Sequence, residues 1–196
     1  FFIGILYSFT LSLKASVVTL PKTISIEFRS YANSLYKHLN DKDLSFNAFQ
    51  TGLKGFLKLQ SENKIKNEQF ITIIDMSMSA NKNRFFLIDF KTNKIIHKSK
   101  VAHGRNSGGE FAKYFSNKIG SYQSSIGFYK TAETYQGKHG LSLRLDGLEN
   151  SNSNARKRAI VIHSADYVSD LFIKKNGRLG RSLGCPSLPK EGFANI

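Results

Sequence analysis

The chain has one cysteine, Cys185, among 196 residues. A single thiol excludes an internal disulfide scaffold, and no Cys/His cluster has the spacing of a zinc finger. HExxH is also missing, and His103, His139 and His163 are scattered along the chain, so metal ligation has no motif behind it. Acidic residues are scarce: 14 Asp+Glu stand against 29 Lys+Arg, a formal net charge of +15. That excess suits nucleic acid, an anionic membrane face or an acidic polymer such as a cell wall, and equally a solvated lysine-rich surface. No RNP-like or helix-turn-helix pattern occurs, which leaves a nucleic-acid binder unsupported. No internal repeat or long low-complexity tract is present. With 40% hydrophobic residues and 16 Phe, the chain has enough apolar area for a core and is not a disordered basic tail.

A long hydrophobic run is missing too. Phe1 to Leu13 is almost wholly apolar and uncharged and is followed by Lys14-Ala15-Ser16. It falls short of the ~20 residues that a membrane span needs, but it fits the apolar region of a signal peptide. Residues 1–15 are therefore expected to be a signal remnant, cut after Ala15, on a chain lacking its initiator methionine and basic leader. The alternative is a buried N-terminal strand or helix. Export gives Cys185 a sharper meaning: it is either an inert buried hydrophobe or a thiol kept for chemistry.

Periodicity divides the remainder. Ile24, Phe28, Tyr31, Leu35 and Leu39 recur at helical spacing, as do Phe46, Phe49, Leu53, Phe56 and Leu57 behind an N-cap at Ser45. These two amphipathic helices place a helical segment at 16–66. Beyond it, 67–196 reads as a mainly β domain. Strands are expected at 70–75 and 84–90, then a turn at 91–94 into a hairpin partner at 95–101. Further strands are expected at 125–131, 142–145 and 158–163, with a polar, Gly-rich loop at 106–120 and a turn at 150–154.

The chemistry centres on two places. In Arg158-Ala159-Ile160-Val161-Ile162-His163, a period of two puts Ala159, Val161 and His163 on one face. His163 ends the strand, where a side chain can face a cleft at the sheet's rim. Further on comes Arg181-Ser182-Leu183-Gly184-Cys185-Pro186. Gly184 allows close approach of a substrate, and neighbouring N–H groups can point at a developing oxyanion. A thiol becomes a nucleophile when a base such as His pairs with it. With five histidines in the chain, spacing alone leaves a structural role for His163 open.

Residues 160–189, IVIHSADYVSDLFIKKNGRLGRSLGCPSLP, resemble the signature of the YkuD-type L,D-transpeptidases, a strand His followed by a Ser-x-Gly-Cys loop. They are most similar to the murein L,D-transpeptidase catalytic domain branch, and 101–109 and 115–149 share the likeness. The resemblance spans roughly 70–190. It implies a mixed β-sandwich or barrel with a few short helices, α+β and mainly β, here preceded by the two helices. It implies Cys185 as nucleophile, His163 as general base, and N–H groups of Gly184 and Cys185 as the oxyanion hole. Ser182 and Arg181 would shape the loop, with Arg181 meeting a substrate carboxylate. The substrate would be peptidoglycan stem peptides, with no metal or organic cofactor, in the periplasm or envelope of a bacterium.

Implied too is attack by Cys185 on the amide between the third and fourth stem residues, giving an acyl-thioester. An amine of a neighbouring stem then completes a cross-link. Water instead would make the same residues an L,D-carboxypeptidase, and loss of chemistry would leave a wall-binding module. Lys174, Lys175, Arg178 and Arg181 flank the loop, where they can hold an acceptor's carboxylates. The chain departs from the commoner pattern at Ser164 (Gly), Leu183 (His) and Pro186-Ser187 (an apolar residue and Arg). The family usually continues past residue 196 into another strand, so a C-terminal truncation is expected.

Overall fold

The computed structural model describes residues 26–195; the expected signal segment lies outside them. Two helices come first, α1 at Ile26–Leu39 and α2 at Phe46–Ser61. On α1, Phe28 and Ala32 turn inward while Tyr31 stays half exposed, so the buried stripe runs Phe28, Ala32, Leu35, Leu39. Ser45 caps α2: its Oγ accepts the Ala48 N–H at 3.2 Å and donates to Asp75 Oδ2 at 2.9 Å. The cap thereby ties the helix start to the chain just beyond the first strand.

Strands β1 (Phe70–Ile74), β2 (Phe85–Asp89) and β3 (Lys94–Ser99) form an antiparallel sheet in the order β1-β2-β3. Central β2 is buried on both faces. Phe86 and Ile88 join Phe28, Phe49 and Leu53 in a core against the helices. Phe85, pointing the other way, joins Val101, Leu145, Ile160, Ile162 and Leu188 in a second core. The period of two thus makes three layers: helices, first sheet, second sheet.

The second sheet runs β4 (Tyr129–Gly137), β5 (Gly140–Gly147), β6 (Val161–Ser164) and β7 (Ser187–Leu188), hydrogen-bonded in that order. The β4-β5-β6 pairs are antiparallel; β6 and β7 pair in parallel, His163 opposite Ser187 and Ser164 opposite Leu188. Between β6 and β7 the chain makes a short helix, α3 (Asp170–Asn176). The fold is α+β, dominated by sheet, with its two longer helices preceding the strands and short α3 between the last two.

Helix α2 also reaches the second half of the chain. A Cβ at Gly55 would run into the ring of Phe128, which therefore seats directly on the helix where the side chain is missing. Strand β4 starts later and ends later than its sequence predicts. Residues 132–137 have no apolar alternation because β4 is an edge strand and much of it is exposed. Among the described residues no helix is long and apolar enough to cross a membrane.

Candidate active site

His163 lies in β6 and is 3% exposed. Its Nδ1 is 2.9 Å from the carbonyl oxygen of Ser164, and its Nε2 is 3.0 Å from Ser187 Oγ. A carbonyl only accepts, so Nδ1 carries the proton and Nε2 of the neutral ring is the acceptor. One ring face is covered by His139 from the β4–β5 turn, centroids 4.4 Å apart and planes 22° apart. Burial foremost, and then the neighbouring His139 ring, hold His163 below the usual imidazole range, against the Ser164 carbonyl. The ring is therefore neutral at pH 7.

Cys185 comes two residues before Ser187, on the approach to β7. Because β7 lies parallel to β6, that approach runs back alongside the start of β6. The Val161 N–H accordingly points at the sulfur. The half-buried thiol packs against the second core, and its Sγ donates to the Ala159 carbonyl at 3.6 Å. Ala159 has φ 53, a left-handed conformation that L-residues adopt only at some cost; its carbonyl accepts the thiol's bond. Burial pushes the thiol above its ordinary pKa, while the Val161 N–H and the Arg158 guanidinium pull it back. Among the described residues Cys185 and His163 share no hydrogen bond.

The loop that carries Cys185 is held by Ser182, itself buried. Its Oγ accepts the Gly184 N–H at 3.0 Å and donates to the Cys185 carbonyl at 2.6 Å. Its backbone is anchored in turn: Ser182 N–H to His103 O at 2.9 Å and Arg105 N–H to Ser182 O at 2.8 Å. Gly184 has φ 131, and a Cβ there would meet Gln123 O at 3.0 Å and Arg158 Nη2 at 3.2 Å. The Gly184 carbonyl accepts from Ser124 Oγ at 3.0 Å. Glycine is thus favoured by conformation, and a side chain there would crowd its neighbours.

Arg181 is placed differently from the residues it was grouped with. Its Nη1 donates to the carbonyls of Arg105 at 3.1 Å and Gly108 at 3.0 Å, which clamps the loop containing the 3-10 turn Arg105–Ser107. Of the residues named from sequence, the fold therefore brings Ser182, Gly184, Cys185 and His163 together. It sets Arg181 on the loop's outer support.

Sequence reasoning passed over four neighbours. Ser187 and Tyr167 approach Nε2 in series, Tyr167 OH lying 3.0 Å from Ser187 Oγ. His139 stacks on the imidazole. Arg158 donates to Ser116 O at 2.7 Å, to the oxygens of Ser125 and Ser121 and to Gln123 O, so it staples the 116–125 loop beside Gly184. Ser187 had a signal, since a hydroxyl two residues after the thiol shares its strand face. The others depend on distant pairings that no local pattern shows.

Two hollows are lined by chain neighbours of Cys185 and His163 and by neither residue itself. One, about 1660 Å³, runs between α2, β1 and the β4–β5 hairpin, with Gly184 and Pro186 in its wall. The other, about 500 Å³, is bounded by Lys138, His139, Asp166, Tyr167 and Lys190. Among the described residues no cluster of His, Cys, Asp and Glu has the arrangement of a metal site.

Residues 40–196 match the family model for the L,D-transpeptidase catalytic domain. The match takes in α2 as well as both sheets. No curated protein and no solved structure matches the chain.

Proposed function

Because this chain belongs to the L,D-transpeptidase catalytic domain family, whose activity is directed at peptidoglycan, we propose that it is an exported cysteine acyl-transferase acting on peptidoglycan stem peptides. Cys185 is the nucleophile and His163 the general base. The observation that carries this reading is the parallel pairing of His163 with Ser187, which lays the thiol segment against the base strand.

The chemistry follows from those positions. Sγ attacks the carbonyl carbon between the third and fourth stem residues while its proton passes to Nε2 of His163. The electron pair displaced onto the carbonyl oxygen is met by the Cys185 N–H. The Gly184 N–H, bonded to Ser182 Oγ in the resting loop, joins it if that serine yields. Collapse breaks the C–N bond, the departing amine takes the proton from His163, and an acyl-thioester remains. An acceptor amine then attacks the thioester, giving its proton to His163, and Cys185 leaves with that proton. Residue 164 needs no side chain for this, because its contribution is the carbonyl that orients the imidazole.

Disaccharide-tetrapeptide fragments at millimolar concentration test the reading. Cross-linked dimers are expected as the main product and tripeptide as the minor one, with both lost in Cys185→Ala. Tripeptide alone would make the enzyme a carboxypeptidase. Neither product, from folded protein, would leave a wall-binding module, for which the +15 charge offers a general attraction. Export rests on the apolar run 1–13, and mapping the mature N-terminus to Ser16 is its test.

A further inference from the structure

The Nε2 lone pair of His163, which the proposed mechanism needs for the thiol proton, is already taken. Ser187 Oγ lies 3.0 Å from it. Since Nδ1 holds the ring proton against Ser164 O at 2.9 Å, the hydrogen between Ser187 and His163 belongs to the serine. Ser187 then has oxygen lone pairs left, and Tyr167 OH stands 3.0 Å away to donate into one. The direction of the chain is thereby fixed: Tyr167 to Ser187 to His163. Each member is enclosed. Ser187 is 0% exposed, His163 3%, and Tyr167 is half-buried, with burial holding its hydroxyl protonated. Meanwhile the thiol has its own partner in Ala159 O.

We propose that Ser187 and Tyr167 are positioning residues forming a hydroxyl latch on His163, which keeps the base occupied and Cys185 a neutral thiol until substrate displaces the serine from Nε2. This rests on reading Cys185 and His163 as nucleophile and base. The latch lets a half-buried thiol, on a segment laid against the histidine's strand, avoid becoming a thiolate–imidazolium pair, and so avoid reacting with whatever electrophile reaches it. Opening needs one rotation of a small side chain. Tyr167 supplies the alternative partner, since a serine turned away from Nε2 can donate to the tyrosine oxygen instead.

The other groups facing the pair do not substitute for this hydrogen bond. His139 covers a ring face and makes no hydrogen bond to Nε2 among the described residues. Arg158 and Tyr129 approach from the side of the nucleophile loop and β4, and the Arg158 charge favours the thiolate, opposing the latch. Asp166 is paired with Lys190 at 2.6 Å across the smaller hollow.

The test is the pH profile of iodoacetamide alkylation at Cys185, which requires no peptidoglycan and is therefore separable from the product assays. The wild-type protein should show a single rise with a midpoint no lower than an ordinary thiol's, about 8.5. Ser187→Ala should add a low-pH limb and raise the pH 7 rate about tenfold as the thiol pairs with the freed Nε2. Tyr167→Phe should give a smaller gain, and Ser187→Ala combined with His163→Gln should return the rate to the wild-type level. Nitrogen-15 shifts of the wild-type histidine ring should show Nδ1 protonated and Nε2 bare at pH 7. A wild-type thiolate at pH 7, an Nε2-protonated ring, or a Ser187→Ala profile identical to wild type would each overturn the latch. The wild-type measurements decide even where a variant does not fold.

Discussion

The hydroxyl of Ser182 donates to the carbonyl oxygen of Cys185 at 2.6 Å while accepting the Gly184 N–H at 3.0 Å. One buried side chain therefore closes the backbone that carries the proposed nucleophile. Ser182→Ala should leave a buried N–H and a carbonyl without partners, at a cost of about 1–3 kcal/mol in denaturant unfolding. Turnover on tetrapeptide should fall by roughly 100-fold, because a loop free to shift misplaces the sulfur. Loss of stability with unchanged turnover would show that the loop holds its shape without the serine.

Gly184→Ala should be worse tolerated than most glycine replacements. The backbone sits at φ 131 and the new methyl would press on Gln123 O, Arg158 Nη2 and Ile160 Cδ1. Strain of about 1–3 kcal/mol is expected, measured as a lower midpoint in urea. Alkylation of Cys185 should change along with it, since the displaced groups border the thiol.

Arg158 offers a charge test. It holds the 116–125 loop through Ser116, Ser121, Gln123 and Ser125, and its cation draws the Cys185 pKa down against the larger effect of burial. Arg158→Met should move the alkylation midpoint of Cys185 upward. A midpoint that stays in place would mean that solvent screens the guanidinium from the sulfur.

A fourth prediction concerns acid. Buried His103 accepts from Arg84 Nη2 at 2.8 Å, and burial first, with the Arg84 charge next, holds it at about 4. The unfolded chain binds a proton at this site near pH 6.5 and the folded chain does not. Stability at this residue is therefore complete above about pH 6.5 and drains away as the pH falls toward 4, by about 3 kcal/mol. His163, lowered in the same direction, adds to the loss. Unfolding free energies at pH 7.5 and 4.5 measure it, and a flat profile would contradict the burial of both rings.

The helices and the first sheet were legible because their apolar residues face a core on a regular period, and Ser45 stands where a cap belongs. The Gly-Cys-Pro loop and the strand His stand out in sequence because few residue types can serve as nucleophile and base, and the fold sets their two segments side by side. What sequence could not give was the partner each residue would choose. Arg181 looked free to meet a substrate carboxylate, yet two backbone carbonyls hold it. Strand β4 beyond Thr131 is polar because it lies at an edge, so the hairpin that brings His139 over His163 carried no apolar signal. Short β7 owes its existence to β6 and to bridging by Ala102, both remote in the chain.

Parallel strands cannot be joined by a tight turn, and the β6–β7 pair has α3 and its flanking loops between its members. Closing that excursion costs chain entropy that is recovered only when β7 docks against both β6 and Ala102. Until then Cys185 and His163 belong to separate pieces of chain. A partly folded molecule with β7 undocked thus holds every residue of the proposed chemistry and none of the arrangement, so the pairing of thiol and base is a property of the finished sheet alone.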